Sequence, residues 1–448
     1  MRKLLPPGIL CLAFVAAYTP PTFAQSDAAR LQGIITDQTS ALVPGAKVKV
    51  TAVATNRVLE TTTGGDTGAW SFPVLPPGDY VLEVSKDGFR PVKQNVTLQV
   101  AQVANVNVVL ETGTVTEAVV VKEDAALIDA ASSDIGTTVE TRQIKDLPLN
   151  GRNFTQLATL VPGVSRGVPE NAATGQNNNA ETFRYQASSG AALVVNGARP
   201  QANNFTLDGL DNNESLVNTI VFFPSAEAIQ EFKLQTSVAP AEYGRAGGAI
   251  INTTLKSGGN AIHGSAFEFI RNDNVDARPT FAPQISEFRR NQFGGNVGVP
   301  IIKDKLFVFG DYQGFRQATP VGVDYASVPT SLMRVGNFSE LLNTRTSGLS
   351  QGYVIKDVST GLPYAGNLIP KTQQNPIGLN YLNAYPLPNI SGKVQQNYVT
   401  QRNQEQNFDD FDVRGDWNAT QNDRLFARAS YAHDKENTST RLPGLPAG

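Results

Sequence analysis

Apolar and polar residues alternate with a period of two through most of this chain, in short runs. Between Gln32 and Leu110 the apolar positions are Val48 and Val50, then Tyr80, Leu82 and Val84, then Val96, Leu98 and Val100, then Val106, Val108 and Leu110. VPG at Val43 to Gly45, GGDTG at Gly64 to Gly68, PPGD at Pro76 to Asp79 and KDGF at Lys86 to Phe89 separate them as turns. Short strands at this spacing predict a small β-sandwich.

From Thr114 to about Gly259 strand and helix patterns mix. LPLNGRNFTQLATLVPGV predicts a short helix ended by Pro162 and Gly163, with Phe154, Leu157 and Leu160 on one face. ALVVNGARPQANNFTLDGLDN predicts two strands joined by a loop rich in Gly and Asn, and AIQEFKLQTS and GAIINTTLK predict further strands. Gly167 to Asn179 is polar and predicts a loop.

Beyond Asn260 the alternation lengthens. Phe411, Val413, Gly415 and Trp417 share one face, and Asp410, Asp412, Arg414 and Asp416 the other. After the turn NATQND, Leu425, Ala427, Ala429 and Tyr431 oppose Arg424, Arg428 and Ser430. A membrane barrel turns such apolar residues to lipid and the charges inward. A soluble antiparallel sheet with one wet face has the same period, so periodicity leaves both open. Six strands are expected, at 262–271, 290–299, 305–313, 321–328, 407–417 and 423–433, with one long excursion rich in Pro and Asn over about 329–405.

The N-terminus changes the picture. Arg2 and Lys3 precede the apolar run GILCLAFVAAY, which predicts a signal peptide over residues 1–24 with cleavage between Ala24 and Gln25. The run is well short of the ~20 apolar residues of a spanning helix. Cys11 lies inside it, so the exported chain is expected to hold neither disulfide nor thiol nucleophile. No later apolar run is long enough for a helical span, so any membrane crossing must use strands. The chain has 37 basic and 40 acidic residues; without Arg2 and Lys3 the balance is 35 against 40, or −5. That balance does not point to nucleic acid, which requires a concentrated basic face.

Catalytic chemistry finds little footing. His263 and His433 are the only histidines, and no His-x-x-Glu zinc set occurs. A hydrolytic triad is poorly supported for the same reason. Asp208, Asp211 and Asn213 lack the spacing and distal Glu of a calcium loop and read as turn residues. Asp409 and Asp410 point to opposite faces of a strand. The chain is therefore read as a non-enzyme without metal or cofactor.

GIITDQTSALVPGAKVKV, GAWSFPVLPPGDYVLEVSKDGF and VNVVL resemble the carboxypeptidase regulatory-like, transthyretin-like domain. Behind them stand NGRNFTQLATLVPGV, VNGARPQANNFTLDGLDN, AIQEFKLQTSVAPAEYGRAGGAIINTTLKSGGN, HGSAFEFIRND, RRNQFGGNVGVPI and KDKLFVFGDYQGFR. From Gln32 to about His433 this order resembles a TonB-dependent outer-membrane receptor of the Oar-like subgroup. The resemblance implies a mainly β chain: sandwich at 25–112, TonB box or linker at 113–122, mixed α/β plug at 123–259, and the first strands of an incomplete transmembrane barrel at 260–448. Family barrels have about 22 strands, and closure needs at least about 8, so the chain is expected to be the N-terminal portion of a receptor.

The resemblance also assigns residues. Tyr243, Gly244, Gly247, Gly248, Ile250 and Asn252 match the segment leading from plug to barrel, whose glycines would let the plug approach the wall and take unusual dihedrals. Leu255 followed by Lys256 departs from the family's usual Thr-Lys. Within TVTEAVVV, residues Thr114, Val115, Thr116, Glu117, Val119, Val120 and Val121 are candidates to add as a strand to periplasmic TonB. The same stretch also reads as the plug's first strand or the sandwich's last connection. Asn196, Gly197, Arg199, Asp208, Gly209 and Asp211 are candidates in the plug loops. The implied partners are TonB with its inner-membrane energising complex, outer-membrane lipid, the barrel assembly machinery and an unidentified extracellular ligand. The implied place is the outer membrane, with sandwich and plug on the periplasmic side. The implied activity is energised uptake. A secreted or periplasmic carbohydrate-binding sandwich protein is the alternative, and would need Trp70, Phe72, Tyr80 or Phe89 as exposed platforms.

Overall fold

The computed structural model describes residues 27–113, 119–121, 135–147, 149, 152–166, 193–215, 218, 220–237, 243–244, 247–278, 280, 288–344, 348–421, 423–438 and 442. The signal peptide with Ala24 and Gln25, the stretch Thr114 to Glu117 and the loop at 167–179 lie outside these residues.

The expected sandwich forms. β1 (Ala29–Asp37) pairs with β4 (Ala69–Leu75) antiparallel and with β7 (Val103–Asn105) and β8 (Val108–Leu110) in parallel. The second sheet runs β3 (Val58–Thr62), β2 (Lys47–Ala52), β5 (Gly78–Ser85), β6 (Val92–Leu98) and β9 (Val119–Val121). Register sets Val48 against Val84 and Val50 against Leu82, so alternate residues of both strands face one interior. Leu31, Ile35, Leu75, Leu98 and Leu110 complete it. Trp70, Phe72 and Tyr80 are buried there and Phe89 packs half-buried against it, so they are core rather than glycan platforms.

The plug sheet has the order β10 (Ile135–Glu140), β15 (Ile229–Ser237), β16 (Ile250–Leu255), β13 (Asn204–Leu207) and β14 (Leu210–Asp211). β16 is parallel to β13, and all six of its residues are buried, as a strand covered on both faces requires. Glu140 and Gln143 form a capping box that starts helix α1 (Thr141–Asp146). The helix expected in LPLNGRNFTQLATLVPGV is a 3-10 turn, Phe154–Leu160. Phe154 and Leu157 are buried, with Phe154 edge-on to Phe232 at 5.5 Å. Leu160 is exposed, contrary to expectation, because the turn ends there and Val161 takes the interior place. β11 (Val164–Arg166) and β12 (Leu193–Val195) pair apart from the main sheet.

The wall is a sheet of β17 (His263–Asn272), β18 (Arg289–Ile302), β19 (Leu306–Ala326), β20 (Tyr398–Asn418) and β21 (Arg424–Thr438), each beside its neighbour in sequence. Five strands replace the six expected, because 305–313 and 321–328 are parts of the single strand β19. Pro320 lies within it. The excursion ends at residue 397, not 405, and it is structured: Asn375 caps helix α2 (Pro376–Ala384) through the amides of Ile377 and Gly378. Among the described residues these five strands form no closed barrel.

The chain divides into two compact units. One, Met1–Phe267, Gly294–Gln313 and Asp410–Ala432, holds sandwich, plug and adjoining wall segments; the other, Glu268–Phe293, Gly314–Asp409 and His433–Gly448, holds the remaining wall segments and the excursion.

On β20 the pattern is inside out. Asp410, Asp412, Arg414 and Asp416 are 1–5% exposed, while Phe411, Val413 and Trp417 are 43–49% exposed. A soluble sheet would bury the opposite face, so lipid is the matching surroundings. Replacing Val413 by Arg is expected to cost up to about 2–4 kcal/mol, read as a lower urea midpoint of the protein in outer membranes. A water-facing position would shift by no more than about 0.5 kcal/mol.

Candidate functional site at the seam of plug and wall

LDGL at Leu207 to Leu210 closes the hairpin of β13 and β14 in two residues. Asp208 and Gly209 both take positive φ, 51° and 75°, as the tight turn of a twisted hairpin demands. The turn buries the Asp208 side chain to 1% exposure beside β20 and β21. Its Oδ1 accepts the Leu255 amide at 3.0 Å and Arg414 Nη1 at 2.7 Å; Arg428 Nε lies 3.2 Å from Oδ2. Arg414 also donates through Nε to Asp416 at 3.0 Å and through Nη1 to the Leu255 carbonyl at 3.2 Å, and lies over the Phe426 ring. Asp416 accepts Arg424 at 2.6 Å, Arg428 lies 3.8 Å from Asp412, and Ser430 donates to Asp412. Three carboxylates thus meet three guanidiniums, and a network so balanced is what allows charges to remain in an enclosed space.

A second contact lies at Glu227. Its carboxylate forms a buried pair with Arg152, while its carbonyl accepts Lys256 Nζ and, at 3.2 Å, Asn296 Nδ2 from β18. Burial, helped by the nearby Lys145 charge, pushes the Lys256 amine down to about 8. The departure from Thr-Lys at Leu255 and Lys256 therefore falls on two working residues: Leu255 binds Asp208 and Arg414 through its backbone, and Lys256 binds Glu227.

The plug-to-barrel residues divide. Tyr243 is buried, the Gly244 carbonyl accepts Asn204 Nδ2 at 3.0 Å, and the Gly247 and Gly248 amides both donate to the Ala202 carbonyl at 2.9 Å. Ile250 opens β16, and Asn252 accepts Thr206 Oγ1 at 2.7 Å. The expected approach of these glycines to the wall is corrected. A Cβ on Gly248 would stand 2.5 Å from Asn203 Oδ1 inside the plug, and none of Gly244, Gly247 and Gly248 has positive φ. The tight approach to the wall is at Gly258, where a Cβ would meet the Val308 and Val299 carbonyls at 2.7 and 2.9 Å.

Of the plug-loop candidates, Asp208 meets the wall and Gly209 completes its turn. Asn196 and Gly197 form a turn of their own with φ of 50° and 74°, and Asn196 Nδ2 donates to the Thr236 carbonyl at 2.8 Å. Arg199 is exposed before the 3-10 turn Pro200–Ala202, and Asp211 accepts the Asn213 amide at 3.0 Å as the expected turn residue. Val119–Val121, the described part of the TonB-contact candidate, pairs in parallel with Val92 to Gln94 of β6 at the end of that sheet. Sequence reading missed Arg414 and Arg428 as partners of the plug, and Arg424 as the partner of Asp416 beside them. An arginine with aspartates two residues to either side on one strand face was the available signal. Among the described residues no cluster of three His, Cys, Asp or Glu could hold a metal ion.

Ion pairs joining the 135–255 sheet to an inside-out wall of strands fit the strand pattern of outer-membrane β-barrels. The sequence matches the family described as outer membrane beta barrel domain over residues 254–448, and that described as carboxypeptidase regulatory-like domain over 30–111. The chain is homologous to the TonB-dependent transporter Oar of Myxococcus xanthus, with 30% identity over 329 residues, 69% of this chain and 29% of that protein. It therefore spans less than a third of that relative's length. Two solved structures resemble it in part: the outer membrane transporter YddB from Escherichia coli (13% identity, TM-score 0.40, 68% of this chain and 34% of that one) and the siderophore receptor PirA from Acinetobacter baumannii (18%, 0.35, 68% and 32%). At such TM-scores these two likenesses decide nothing by themselves.

Arg414→Leu would leave Asp208 to Arg428 and Asp416 to Arg424, an expected loss of up to about 3 kcal/mol, the low end of the range for a buried partner removed. Earlier release of the plug to protease in a urea series measures it. Leucine at both 208 and 414 should recover part of the loss; a double variant as damaged as the two single changes added together would contradict the pairing.

Proposed function

We propose that this chain acts in a TonB-dependent outer-membrane receptor that takes up an external ligand when the inner membrane supplies force. The observation that carries the reading is the nature of the seam. Asp208, Arg414 and Arg428 join plug and wall by ion pairs, and Asn296 and Glu227 by a hydrogen bond. Polar contacts can be exchanged for water as a plug moves and remade on its return, whereas separating a continuous apolar core exposes a large area to water.

In this reading residues 1–24 direct export, and sandwich and plug face the periplasm. Ligand binding outside makes the stretch 114–121 available, and TonB adds to it as a strand through Val115, Val119 and Val121. β9 stands at the end of its sheet, where a further strand can join. The ligand is moved and not chemically changed. Homology to a TonB-dependent transporter and the match to an outer-membrane barrel domain support this assignment.

A photo-crosslinking side chain at Val119 in intact cells tests it. A crosslink to TonB, with the protein in the outer-membrane fraction, is expected. A soluble periplasmic protein that gives no TonB adduct would rule the receptor out.

A further inference from the structure

The sandwich touches both partners of the seam. Toward the plug, Glu231 on β15 accepts the Val100 amide at 2.5 Å, Lys233 Nζ donates to the Ala101 carbonyl at 3.0 Å, and Gln99 donates to Glu140 at 3.0 Å. Toward the wall, Asn56 donates to Asp304 Oδ1 at 3.0 Å in the turn between β18 and β19, and Arg57 donates to the Gln421 carbonyl at 3.2 Å in the turn between β20 and β21. Asp304 Oδ1 also accepts Asn260 Nδ2 at 2.8 Å, and the Asn260 amide donates to the Ala54 carbonyl at 2.9 Å. One small domain thereby ties the plug sheet to two turns of the wall.

We propose that the sandwich is a reversible brace that keeps the plug seated and must come off before the plug can move. The named contacts of the joint are hydrogen bonds, and clefts open to solvent run along it, lined among others by Arg57, Pro76, Pro77, Ser257 and Arg424. The contacts are also graded: those of Asn56 and of Gln99 are exposed and individually weak, those of Glu231 and Lys233 are hydrogen bonds of buried residues, and the Asp208 pairs are buried and charged. The chain runs from sandwich through 114–121 to plug, so a pull on that stretch loads the outer contacts as well as the plug. This last step rests on the receptor reading; the joint itself does not.

Glu231 makes the brace responsive to acid. Burial pushes its carboxyl up to about 7; Glu140 and Asp27 add to the rise, against the Val100 amide and the Lys233 ammonium. Asp27 is itself raised, mainly by burial. Released into water, Glu231 returns to its ordinary value of 4.5. Docking therefore takes up a proton between those two values: the docked form gains as pH falls through about 7 toward 4.5, and is weakest above 7.

A light-activated crosslinker in place of Gln99 links to the plug only while the brace is docked. In the purified full chain the internal link is expected to form severalfold more at about pH 5 than at about pH 8, with Glu231→Gln flattening the response. In energised cells it is expected to fall only where TonB is present. A yield unmoved by pH, by Glu231→Gln and by energisation overturns the brace. A pH response that Glu231→Gln abolishes, without any effect of TonB, keeps the brace and removes the receptor reading instead.

Discussion

A charge enclosed by a wall of strands persists only where an opposite charge meets it. Asp208 and Arg414 satisfy that condition for each other, and much of the molecule is arranged around their meeting. The turn at Asp208 and Gly209 needs two positive φ values to bring the carboxylate to the wall. The end of β16 is fixed because the Leu255 amide and carbonyl join the same pair. Arg414 in turn holds Asp416, which holds Arg424. With the charged faces of β20 and β21 committed inward, their aromatic and aliphatic residues are left for lipid.

How much of this could be read from sequence depends on how local each signal is. Alternation alone delivered the sandwich, since Val48, Val50, Leu82 and Val84 lie where a period of two puts them. It also delivered the two faces of β20, though not which was inside; that required seeing Asp410 buried and Trp417 exposed. β19 was divided because Gly314 and Pro320 are breakers in most settings, and the start of β20 was lost because Thr400 to Gln406 is almost wholly polar. A wall with a polar interior tolerates such a run.

The seam itself was half legible. Asp208 reads as a turn residue and Gly209 as a plug-loop candidate, and together they form the turn. Their partner Arg414 is 206 residues away, and no local pattern announces a contact at that range. Glycine shows the same limit in another form. Among 39 glycines, Gly258 presses on the wall and Gly248 on the plug's own turn, and only the neighbouring backbone distinguishes them.

The excursion between β19 and β20 deserves a different emphasis. Asn397, fully buried, donates to the Val328 carbonyl and accepts the Val328 amide, both at 2.8 Å, so the two ends of the excursion are clasped like paired strands. Asn367 accepts the Ile355 amide and donates to the Tyr353 carbonyl, and Arg334 reaches the carbonyls of Tyr385 and Pro386. Such internal fastening settles the loop's conformational entropy when the protein folds rather than when something arrives. Any molecule that meets this loop meets a shape already made, and selects by fit more than by moulding.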